Sequence, residues 1–89
     1  MADIKVKRLS GTRFQVHVAE EQTGTDHEVT VTDSDLQRYG GGIVPERLIE
    51  ASFKFLLERE PKEAILRTFD LPVIERYFPE YPSKIRQYL

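Results

Sequence analysis

The chain has no cysteine, and that absence removes disulfides, thiolate nucleophiles and cysteine-ligated zinc from consideration. No apolar run approaches the roughly 20 residues that a helix needs to cross a bilayer. The opening "MADIKVKRL" lacks the apolar stretch of a secretory leader, so a cytoplasmic protein without a membrane partner is the expectation. Neither sign of charge is in excess: 13 basic residues stand against 15 acidic ones, a net charge of −2, and no segment forms a basic block. That balance gives little non-specific attraction to nucleic acid. Repeats and low-complexity tracts are missing as well.

What remains is a chain of 89 residues, enough for one domain, residues 1–89, with little apolar material to spare. The first third alternates. Ile4 and Val6 interleave with Lys5 and Lys7; Phe14, Val16 and Val18 with Arg13, Gln15 and His17; Val29 and Val31 with Glu28, Thr30 and Thr32. Period-two patterning predicts strands with one buried face. Loops at Leu9–Gly11 and Glu21–Gly24 would set Val6 opposite Phe14 and Val16 opposite Val29. Residues 1–32 thus read as a three-stranded antiparallel β-meander that needs a cover.

Residues 33–89 supply that cover as four or five helices, which makes the fold class α+β. Thr32 and Asp35 have capping-box spacing, and the helix they start ends at Gly40–Gly42. Pro45 suits a first helical position, and Leu48, Ile49, Ser52, Phe53, Leu56 and Leu57 form the apolar stripe of the principal helix, with Phe55 at its edge. Three further helical units follow, "PKEAILRTF", "DLPVIERYF" and "PSKIRQYL", the second capped by Asp70. Ala64, Ile65, Leu66, Phe69, Ile74, Tyr77 and Phe78 would pack them onto the main helix.

Candidate sites compete with plainer readings. Tyr77, Phe78, Tyr81 and Tyr88 close the chain, and exposed tyrosines are favoured at protein interfaces. Packing is the simpler role for a small core, so a contact would use whichever of Tyr77, Tyr81 and Tyr88 stays exposed, with Arg86 nearby. The expected register sets Lys7 against Arg13 on the outer sheet face, with Lys5 and His17 beside them, an arrangement that repels itself unless an acid or an anion relieves it. That face lacks the aromatics on which bases stack. The glycines of "YGGGIVPERL" precede a helix, but no Walker lysine follows, and Pro45 and Glu46 oppose a phosphate there. "PKEAILRTF" and "DLPVIERYF" suggest a helix-turn-helix, yet the second unit has no Asn, Gln or second Arg at its start to read bases. His17 and His27 have opposite strand parity and cannot share a metal; His27 reads as a half-buried rim residue opposite Val18.

Within residues 53–82, "FLLEREP", "ILRTFDL" and "IERYFPEY" resemble the C-terminal half of small uncharacterised prokaryotic proteins. The resemblance implies a stand-alone domain and names no catalytic or binding residue. The expectation is a non-enzymatic protein-interaction or adaptor module without cofactor or metal, its partner another protein or a second copy. The alternative is an anion or nucleic-acid binder using Lys5, Lys7, Arg13 and His17.

Overall fold

The computed structural model describes residues 2–89 and has an α+β fold built on a four-stranded mixed sheet. Strands β1 (Asp3–Arg8), β2 (Arg13–Glu20) and β3 (Thr23–Thr30) form the antiparallel meander. A fourth strand, β4 (Thr68–Asp70), joins β3 in parallel, giving the order β1-β2-β3-β4. The helix expected over "PKEAILRTF" is therefore replaced by a short 3-10 turn (Lys62–Ala64) and this strand. The helix-turn-helix reading goes with it. Asp70 lies in β4 and caps nothing; helix α3 (Val73–Tyr77) starts after Pro72.

The face parity follows the sequence pattern: Phe14, Val16, Val18 and Val29 are buried. The register differs by two residues. Val6 faces Val16, Ile4 faces Val18, Phe14 faces Val29 and Val16 faces His27. The turns account for the shift. The second hairpin closes on Glu21 and Gln22 alone, with Glu21 at φ 56°, and Gly24 lies within β3 opposite Ala19. Lys7 consequently faces Gln15, not Arg13, and the like-charge clash is absent.

The connection from β3 to β4 carries the cover. Thr32 caps α1 (Asp33–Asp35) with a reciprocal capping box, its hydroxyl accepting from the Asp35 amide at 3.2 Å while Asp35 accepts from the Thr32 amide at 2.9 Å. A π-helical turn (Leu36–Gly40) continues it and stops where Gly41 takes φ 64°, a conformation that glycine adopts without steric cost. Helix α2 (Pro45–Leu57) begins with Pro45 in its first turn. It buries Leu48, Ile49, Phe53, Phe55 and Leu56 against the sheet and the C-terminal segment. Each such fully buried side chain contributes about 1.5–3 kcal/mol. Phe55, expected at the stripe's edge, is fully enclosed.

Helix α4 (Tyr81–Lys84) and a 3-10 turn (Ile85–Tyr88) close the chain. Tyr81 is fully buried, its ring 5.2 Å from Phe55 and 5.0 Å from Tyr39. Tyr39 is also fully buried, with its hydroxyl bonded to Glu75 at 2.8 Å; burial and that carboxylate push its pKa up to about 12. The Arg59 guanidinium lies 3.6 Å over the Phe55 ring, donates to Glu80 at 3.0 Å and to the Phe55 carbonyl at 3.0 Å. Cation–π attraction and a charge-assisted bond thus fasten the tail to the end of α2. No helix among the described residues is long and apolar enough to cross a membrane.

Candidate functional site

The C-terminal aromatics divide sharply. Tyr81 is closed to any partner, and Tyr88 is half-buried, packing edge-on against Phe55 and donating to Glu58 at 2.5 Å. Tyr77 is 64 % exposed. Arg86 is exposed beside the glycine turn at Gly41. The four residues that the sequence grouped are not one patch.

Tyr77 instead borders a groove of about 220 Å³ between the end of α2 and the segment running through β4 into α3. Leu56, Ile65, Phe69 and Ile74, all buried, make its floor. Leu66, 44 % exposed, and Tyr77 stand on its rim, as do Val73 and Phe78. Glu60 is the one carboxylate among the described residues of its lining, and desolvation raises that carboxyl above its usual value. The neighbouring Glu58 and Arg59 are engaged elsewhere, by Tyr88 and by Glu80. An apolar trough with one carboxylate in partly dry surroundings selects a cation carried on an apolar body.

The groove's rim is held in place by a buried histidine. His27 sits on the inner face of β3 opposite Val16, not at the sheet rim opposite Val18 as its parity alone suggested. Its ring packs 5.3 Å from Phe53. Nδ1 lies 2.7 Å from the Leu66 carbonyl and Nε2 2.8 Å from the Thr25 hydroxyl. A carbonyl only accepts, so Nδ1 carries the proton and Nε2 accepts from Thr25. Burial lowers the His27 pKa below 6.5 and keeps this neutral tautomer. Beside it the Glu28 amide donates to the Arg67 carbonyl at 2.7 Å. These bonds fix the backbone at Leu66 and Arg67, and hence the direction in which Leu66 projects.

The outer sheet face is exposed and in part internally neutralised. Arg13 reaches diagonally to Glu28, with Nε donating at 2.8 Å, and His17 Nδ1 meets Asp26 at 2.7 Å. Of the anion-binding candidates, Lys5 and Lys7 are exposed and make no ion pair among the described residues. Lys62, despite its charge, is buried along its stem, its ammonium 2.8 Å from Glu63 and 3.8 Å from Glu20. The Glu63 carboxylate raises the Lys62 pKa, and that ion pair is structural. His17 and His27 point to opposite faces, and no group of three or more potential metal ligands gathers among the described residues.

Of the groove's chemistry, the sequence reading singled out Tyr77 alone. Leu66 and Glu60 were missed, although one signal was available. Ala64, Ile65 and Leu66 are consecutive apolar residues, and neither helical nor strand periodicity turns three in a row inward. No protein-family model, curated protein or solved structure matches this chain.

Proposed function

We propose that the protein is a non-enzymatic interaction module whose groove receives a short segment of another protein, anchored by one bulky apolar side chain with a lysine or arginine beside it. The observation that carries this reading is the meeting of exposed Leu66 and Tyr77 with the partly desolvated Glu60 around a single apolar concavity. Its volume, about 220 Å³, is below the roughly 300 Å³ at which pockets for drug-sized ligands begin. It suits one or two side chains of a peptide. Aromatic and leucine anchors seated in pockets dominate such contacts, and a basic neighbour would convert the isolated Glu60 carboxylate into a charge-assisted pair.

Selection from a random peptide library, followed by amide-shift mapping of the winners, tests the proposal. The expected winners share an apolar residue flanked by Lys or Arg, shift the signals of Leu66, Tyr77 and Glu60, and lose affinity with Leu66→Asp or Glu60→Gln. A library that enriches equally on the wild type and on Leu66→Asp would remove the proposal. The outer sheet face supports an anion-binding role less well, because Glu28 and Asp26 already occupy Arg13 and His17.

A further inference from the structure

The sheet has two edges, β1 and β4. The β4 edge is three residues long, whereas β1 runs for six without a proline or a bulge. Hydrogen bonds beyond the strand ends fix which way its amides point. Leu9 donates to the Arg13 carbonyl at 2.8 Å, in register with the Arg8–Phe14 pair, so the odd-numbered residues of β1 bond β2. Val31 donates to the Thr12 carbonyl at 2.8 Å, which assigns the even-numbered residues of β2 to β3 and agrees with that parity. Ile4, Val6 and Arg8 therefore turn their peptide groups away from the sheet, an open template for another strand.

We propose that β1 pairs antiparallel with β1 of a second copy of the chain, continuing two four-stranded sheets into one of eight. The strand's own charge order carries the choice of occupant and register. With Ile4 opposite the other copy's Val6, the outward-facing peptide groups meet as hydrogen-bonded pairs. Asp3 then falls opposite Lys7 twice, once on each side of the axis, and Lys5 meets its own copy at the axis. Two opposite-charge pairs outweigh the one like-charge pair. Placing Val6 opposite Val6 would set Lys5 against Lys7 twice, so that register repels itself. Placing Ile4 opposite Ile4 would set Asp3 against Lys5 twice but would pair only residues 3–5 of the strand, against residues 3–7 here. The inner face agrees. Ile4 and Val6 are only half-buried under α2, and Val44, 61 % exposed, lines a shallow hollow with Val6, Arg47 and Glu50 at that border. Pairing brings each Ile4 against the opposite Val6 and continues the apolar layer. The contact is isologous and closes as a two-fold dimer.

Sedimentation of the full chain at concentrations up to about 1 mM, where even weak pairing is populated, reads the assembly. The wild type is expected to sediment as a dimer. Val6→Pro is expected to give a monomer with unchanged circular dichroism, because that amide faces no internal partner and edge strands tolerate proline. Lys7→Glu is expected to weaken the dimer by about tenfold. Asp3→Lys combined with Lys7→Asp is expected to restore it, and that rescue does not depend on Val6→Pro folding. A wild type that stays monomeric throughout the range overturns the proposal. So does a dimer indifferent to Lys7→Glu and its compensating swap.

Discussion

The hydroxyl of Tyr81 meets the hydroxyl of Ser52 at 2.6 Å inside the core, and Ser52 in turn donates to the Leu48 carbonyl at 2.7 Å. Ser52 has one proton and has given it to Leu48, so Tyr81 is the donor of the pair.

That polarity predicts an asymmetry. Tyr81→Phe leaves Ser52 satisfied by Leu48 and is expected to cost about 1 kcal/mol. Ser52→Ala strands the buried phenol without its acceptor and is expected to cost more, about 1–3 kcal/mol, less a few tenths regained from alanine's helix preference. The double variant should be more stable than the sum of the two losses implies. Urea denaturation of the three variants measures this, and equal single costs would contradict the assignment. Tyr81→Ala, which removes the ring from between Phe55 and Tyr39, is expected to cost about 3–5 kcal/mol.

Acidification acts on His27. Its folded-state pKa is held below the unfolded value of 6.5 by burial, so the fold favours the neutral ring. The stabilisation is complete above pH 6.5 and is lost as the pH falls through the folded-state pKa. His27→Gln should therefore flatten the slope of stability against pH below about 6.5 relative to the wild type, as read from denaturation midpoints at successive pH values. Protonation leaves the Nδ1 bond to the Leu66 carbonyl in place and breaks the one that Nε2 accepts from Thr25.

The groove rim carries little stability. Leu66→Asp and Tyr77→Ala change side chains that face solvent, and each is expected to shift unfolding by no more than about 0.5 kcal/mol. Differential scanning calorimetry checks this, and a large loss would assign Leu66 and Tyr77 to packing.

Glu21 holds φ 56° at the tight turn between β2 and β3. A side chain in that region costs roughly 1–2 kcal/mol, and glycine carries no such cost. Glu21→Gly is expected to raise stability by about 0.5–1 kcal/mol after its greater unfolded-state freedom is set against that gain. Thermal melts provide the comparison.

Much of the sheet was legible because alternation is insensitive to a slip of two residues. Phe14, Val16 and Val18 face inward in either register, so the pattern identifies the buried face and leaves the pairing to the turns. The turn at Glu21 escaped notice since its positive φ falls on a residue without that preference, with Gly24 three positions away as a more attractive candidate. Strand β4 is too short for any periodicity to declare itself, and Pro61 and Pro72 punctuate "PKEAILRTFDLP" as they would a helix. The capping box at Thr32 and the proline start of α2 were legible because each depends on local chemistry alone. The groove was not, since it arises where β4 docks: Glu60, Leu66 and Tyr77 are brought together by tertiary structure.

Parallel docking of β4 on β3 also sets an order of assembly. The meander and α2 precede Thr68 in the chain, so during synthesis the even-numbered peptide groups of β3 wait uncovered until the last quarter of the polypeptide arrives. A nascent chain stalled near Glu60 would display that bare ribbon, together with a histidine lacking its carbonyl. Late completion makes the interval before Thr68 emerges the one in which a chaperone has most to shield.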